Sequence, residues 1–210
     1  MPAISRIVAA AIAASAGLAA AGTALATGSG RDVGASTTAT PTPPHRLVAR
    51  RMQPRPGALP RGMRETRLNL FTARVFPTDR VGFALADDRS AQYPALSTDG
   101  GESWRIDGPQ LHVDAADGPE AVGFVGTAGP HTFFAYGSSA IDVTTDGGRS
   151  WWETFAGELV MAVVPGMRSG ELVAYVQQSA SDRPTSVAAT WQYVSRDGGR
   201  TWRYSTAFGG

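Results

Sequence analysis

The chain has 210 residues, 42% of them hydrophobic, with 25 glycines, 14 prolines and no cysteine. The missing cysteine excludes disulfides, cysteine-ligated metal sites and an acylated-cysteine anchor. All 19 basic residues are arginine, which excludes lysine-dependent catalysis. The net charge of +1 conceals a division: residues 27–67 hold eight arginines against two acids, and residues 68–210 hold ten against sixteen. An acidic globular part makes nucleic acid a poor partner.

Residues 1–26 read as a secretory signal peptide. Arg6 supplies the n-region charge, an alanine-rich apolar run follows, and Ala24-Leu25-Ala26 is an A-x-A cleavage site. The expected location is therefore secreted or extracytoplasmic, with cleavage after Ala26. Residues 27–67 read as a disordered linker, because the Thr/Pro-rich stretch 36–44 has nothing to bury and Pro54, Pro56 and Pro60 interrupt the arginines. Such a basic tail suits contact with an anionic envelope, or with its own acidic domain.

From residue 68 the pattern is β throughout. Three units of four strands are expected. First strands fall at 73–76, 121–125 and 160–164; second strands at 81–86, 132–136 and 172–177. Third strands fall at 93–97, 140–144 and 191–195; fourth strands at 104–106, 151–155 and 202–205. Each second strand has an apolar-small-apolar centre (Phe83-Ala84-Leu85, Phe134-Ala135-Tyr136, Val173-Ala174-Tyr175) that would let neighbouring sheets approach. Pro94 predicts a bulge or a shortened strand. Residues 178–190 predict a mobile excursion and the first candidate for a recognition loop.

Between the third and fourth strands lies a recurring octapeptide. Its copies are Ser97-Thr98-Asp99-Gly100-Gly101-Glu102-Ser103-Trp104, Thr144-Thr145-Asp146-Gly147-Gly148-Arg149-Ser150-Trp151 and Ser195-Arg196-Asp197-Gly198-Gly199-Arg200-Thr201-Trp202. The aspartates, at 99, 146 and 197, are 47 and 51 residues apart. Glycine takes positive φ without steric cost, so Asp-Gly-Gly between apolar stretches marks a hairpin turn. The carboxylate can accept from N–H groups one to three residues on, and the flanking hydroxyls can bond across the hairpin mouth. The tryptophan is a large body with one N–H, fitted to wedge between sheets.

The octapeptides resemble Asp boxes, the bacterial neuraminidase repeats found in β-propellers of sialidases, xyloglucan-degrading hydrolases, sortilin-type receptors and photosystem assembly factors. The resemblance covers residues 68–210. It implies an all-β, propeller-like array of three four-stranded blades, at about 68–107, 108–155 and 156–210. It also implies a structural role on the outer rim for Asp99, Asp146 and Asp197, packed by Trp104, Trp151 and Trp202. Three blades are fewer than the usual four to eight. A homodimer completing a six-bladed ring, a compact open stack, or a fragment of a longer propeller would each resolve this.

No catalytic constellation stands out. The arginine clamp and tyrosine–glutamate pair of sialidases have no counterpart. The loop acids Asp87, Asp88, Asp114, Asp117, Glu120, Glu158 and Asp182 show no spacing that selects a glycosidase pair. His45, His112 and His131 stand alone, which supports no metal site, and no cofactor motif occurs. Tyr136, Tyr175 and Trp191 could offer a carbohydrate-stacking surface or serve as packing. The reading is an exported, non-enzymatic binding or scaffold module for a protein or carbohydrate ligand. The alternative is a sialidase-like or other glycoside hydrolase, or a truncated remnant of one.

Overall fold

The structure, a computed structural model, describes residues 42–66, 68, 74–88, 91–113, 122–180 and 183–209, with the backbone alone at 112–113, 179–180, 183–188 and 207–209. The expected signal peptide and the first part of the expected linker lie outside the described residues. Every helix or strand among these residues is a strand. In chain order they are β1 (Arg46–Val48), β2 (Arg50–Arg51), β3 (Arg64–Glu65), β4 (Gly82–Asp88), β5 (Ala91–Ser97), β6 (Trp104–Ile106) and β7 (His112–Val113). There follow β8 (Phe124–Gly129), β9 (Thr132–Gly137), β10 (Ala140–Thr144), β11 (Trp152–Phe155), β12 (Leu159–Pro165), β13 (Leu172–Ala180), β14 (Arg183–Ser195) and β15 (Thr201–Gly209).

These strands form three antiparallel sheets, with orders β3-β6-β5-β4, β2-β11-β10-β9-β8 and β1-β15-β14-β13-β12. In the second and third sheets four consecutive strands form a meander. In the first, β7 pairs with β5 beyond the end of β6. Val75 and Phe83 exchange backbone bonds of 3.0 and 2.8 Å where a first strand was expected at 73–76. Leu68 forms a further bridge to Ala86.

The segment read as a linker does something else over residues 46–65. β1 pairs with β15, β2 with β11 and β3 with β6, so one strap runs along the last strand of all three meanders. Only Ala49 separates β1 from β2, and its N–H donates to the Arg200 carbonyl at 2.9 Å. An edge position explains why so polar a stretch can pair: it needs backbone groups alone, and the arginine side chains stay in solvent. Leu47 is the one side chain of β1 that is buried.

Two further expectations meet a different arrangement. β5 pairs with β4 in unbroken register through Leu85↔Pro94. The Pro94 carbonyl accepts from the Asp107 N–H at 2.9 Å, so the missing donor of Pro94 points to the same side, where β6 has ended. No bulge is needed. Residues 178–190 mostly extend the β13–β14 hairpin, with register shifts at Gln178/Ser179 and Ser179/Ala180.

The core lies between sheets and follows the two-residue alternation of strands. Phe83 and Leu85 of the first sheet meet Phe133, Ala135, Ala140 and Trp151 of the second. The opposite face of the second sheet, with Phe134, Ile141 and Val143, meets Leu172, Ala174, Val176, Trp191 and Trp202. Ala84, Ala135 and Ala174, the small centres of the second strands, are all buried. The far face of the first sheet holds Ala84, Tyr93, Ala95, Trp104 and Ile106, against which Ala58 and Leu59 of the strap and Leu68 pack.

Candidate functional site

The three Asp-Gly-Gly turns share one geometry. Asp99 Oδ1 accepts from the Ser97 hydroxyl at 2.7 Å and the Ser103 N–H at 3.0 Å, and Oδ2 from the Ser103 hydroxyl at 2.5 Å. Asp146 repeats this with Thr144 at 2.9 Å and Ser150 at 2.9 and 2.6 Å. Asp197 does so with Ser195 at 2.9 Å and Thr201 at 2.9 and 2.6 Å. The backbone donor is thus four residues beyond the aspartate, further than the sequence reading allowed. The first hydroxyl of each turn accepts from the second glycine: Gly101, Gly148 and Gly199 reach Ser97, Thr144 and Ser195 at 2.8, 2.9 and 2.8 Å. Those glycines have φ of 92°, 88° and 83°, a region that favours glycine.

These bonds hold the carboxylates ionised. The Ser103 hydroxyl, the Ser103 N–H and the Ser97 hydroxyl put Asp99 well below the usual carboxylate range. At Asp146 and Asp197 partial burial pulls upward, but the bonds from Ser150 and Thr144, and from Thr201 and Ser195, outweigh it. With their oxygens engaged inside the turn, the three aspartates serve as turn staples.

The tryptophans reach backwards. Trp202 donates to Gly199 O at 3.1 Å and to Thr154 Oγ1 of the second sheet at 3.2 Å. Trp151 donates to Asp107 O of the first sheet at 3.2 Å and packs on Phe83, with ring centroids 5.8 Å apart. Trp104 donates to Gly101 O at 3.1 Å and meets Phe76 edge-on.

A carboxyl pair unmarked in the sequence reading lies within the second sheet. Asp142 of β10 stands opposite Glu153 of β11, and Glu153 stands opposite Arg50 of β2. Arg50 donates to Glu153 Oε2 at 2.6 Å through Nε and lies 4.7 Å over the Phe155 ring. Asp142 is fully buried, and among the described residues neither of its oxygens has a partner. Burial first, then the charge of Glu153, pushes its carboxyl well above the ordinary value, with Arg50 opposing.

Where the strap crosses from the second sheet to the first, it walls a crevice of about 310 Å³. Arg51, Arg55 and Arg61 line it from the strap, Gly108 and Pro109 from the loop after β6, and Arg149 from the second turn. Arg61 Nε and Nη2 both reach Asp107 Oδ1, at 2.8 and 2.5 Å. Burial of Asp107 raises its pKa despite that partner. Among the described residues no carboxylate forms an ion pair with Arg51, Arg55 or Arg149.

The other candidates are dispersed. Asp87 and Asp88 end β4, and Asp87 Oδ1 is buried without a partner among the described residues. Glu158 is half-buried before β12. Asp114, Asp117, Glu120 and Asp182 lie outside the described residues. The His131 carbonyl accepts from Gly147, His45 lies edge-on to Tyr204, and His112 pairs within β7. Trp191 is buried, Tyr136 packs against the core between the second and third sheets, and Tyr175 is half-buried on β13. These three do not form one exposed aromatic surface. No family model matches the chain, and no curated protein or solved structure matches it either.

Proposed function

We propose that the chain is an exported, non-enzymatic binding or scaffold module whose three sheets are successive propeller-like blades, each pinned by an Asp-box turn. The observation that carries this reading is the state of the carboxylates. Asp99, Asp146 and Asp197 are engaged inside their own turns. The pair closest to a hydrolytic arrangement, Asp142 and Glu153, is 0% and 6% exposed. A glycosidase needs two carboxyl groups flanking a bound sugar, about 5–10 Å apart with access for substrate. The ligand class is protein or carbohydrate.

The test is a screen of the full chain against aryl-glycosides, sialosides included, alongside a glycan array and pull-down from envelope extracts. Saturable binding without turnover is the expected result. Turnover abolished by Glu153→Gln would establish the glycoside hydrolase instead, a reading favoured only by that opposed carboxyl pair.

A homodimer belongs to this proposal through the third sheet rather than as a six-bladed ring. The far face of the first sheet is already packed by Ala58, Leu59 and Leu68. The half-buried Val173, Tyr175 and Val194 alternate with the core residues of β13 and β14, and so lie on the opposite face of the third sheet. Light scattering that returned a monomer at micromolar concentration would remove the dimer.

A further inference from the structure

We propose that the crevice between the strap and the second Asp-Gly-Gly turn binds an oxyanion, the phosphate or carboxylate group of a small ligand or of an acidic glycan unit, through Arg51, Arg55 and Arg149. This rests on the reading of the chain as a binding module.

Four arginines line one crevice, and among the described residues only Arg61 forms an ion pair, with Asp107, whose charge Arg149 also feels. Glu153, which faces the strap from β11, is engaged by Arg50. Like charges brought together disfavour folding; Asp107 attracts Arg149 as well as Arg61, so Arg51 and Arg55 are the arginines of the crevice whose charge calls for a partner from outside. Turn geometry does not demand Arg149. The position after Gly-Gly holds Glu102 in the first turn, Arg149 in the second and Arg200 in the third, in the same hydrogen-bond frame.

The chemistry of the lining fits an oxyanion. A guanidinium presents planar paired donors that match phosphate and carboxylate oxygens two at a time, and it stays charged throughout the accessible pH range. Met52, Leu59, Pro60 and Pro109 add apolar surface beside the arginines, against which the body of a ligand could pack. A Cβ on Gly108 would overlap the Trp151 indole and Pro94, so the glycine lets that wall lie close to the second sheet. At about 310 Å³ the space stands at the low end of small-molecule sites, roughly 300–1,000 Å³. It suits one acidic group on a ring-sized body, not a folded partner.

The test is calorimetric titration of the full chain at low salt with two probes, pyrophosphate and an oligogalacturonate. Binding of at least one probe below about 1 mM is expected. Arg55→Gln/Arg149→Gln should weaken it by at least about tenfold, and Arg149→Lys, which keeps the charge but loses the fork, should weaken it less. Arg168→Gln, in a loop remote from the crevice, should leave it within about twofold. Pyrophosphate alone would identify a free phosphate-type ligand; the oligogalacturonate alone would identify a glycan carboxylate. Equal binding by wild type and the double variant, or no heat from either probe, overturns the crevice. A glycan-array signal retained by the double variant would then leave the binding module standing. A chain silent on the array, in pull-down and with both probes would remove both readings.

Discussion

Asp142 stands directly opposite Glu153 in the register of β10 and β11, fully buried and with neither carboxyl oxygen bonded to any described residue. The facing groups are Glu153 from β11, Arg50 from β2 and the apolar Ala135 from β9. Its folded pKa lies above that of the unfolded chain, so folding takes up a proton. Its contribution is fully favourable below the ordinary carboxyl range and is lost as pH rises through the raised value. Asp142→Asn stays neutral at every pH. The variant should melt higher than wild type at pH 8, with the gap closing towards pH 4. Parallel melting curves across that range would show that Asp142 carries no such linkage.

The turn aspartates have the opposite sign. Their folded pKa values are lowered, so their contribution is present above the ordinary carboxyl range and fades as pH falls through the depressed values. Asp146→Ala should cost about 1–3 kcal/mol at pH 7 by leaving the Ser150 N–H and two hydroxyls without their acceptor. Urea unfolding at pH 7 and pH 3 checks this. The cost should shrink at the lower pH, and an equal cost at both would mean that the bonds do not depend on ionisation.

Glycine at the second turn answers two demands at once. Gly148 has φ of 88°, and a Cβ there would overlap the Asp107 carboxylate. Gly157 has φ of 76° with open space around it. Gly157→Ala should show backbone strain alone, about 1 kcal/mol. Gly148→Ala should lose clearly more, because Asp107 must also move. Equal losses in chemical denaturation would show that Asp107 yields freely.

Trp151 joins the first sheet to the second through Asp107 and Phe83. Trp151→Ala should cost about 3–5 kcal/mol. Trp151→Phe should keep most of the packing and lose the N–H bond, about 1 kcal/mol. Guanidinium unfolding followed by far-ultraviolet circular dichroism separates the two. Similar losses in both variants would put the hydrogen bond ahead of the packing.

The strands around the three turns were legible because alternation, Asp-Gly-Gly and tryptophan all point to the same pairing. β10 matches residues 140–144, and β6 matches 104–106. The strap was not legible. Its strands are two or three residues long and rich in arginine, prolines interrupt the run between β2 and β3, and edge pairing uses backbone groups that leave no side-chain pattern. Asp142 carried a faint signal, since it shares its alternation with the buried Ala140 and Thr144. The crevice carried none, because Arg149 and the strap arginines are far apart in sequence and meet only once the strap has docked.

Arg50 and Glu153 lie 103 residues apart in sequence, and Arg46 pairs with Arg203 further still. Loop closure over such distances is slow, so the meanders should assemble from their own neighbours first and the strap should dock last. Until β15 exists, β1 has no edge to join. Assembly of the oxyanion pocket would thus report that the whole domain has matured, and a ligand held there would resist the reopening of the latest-formed contacts.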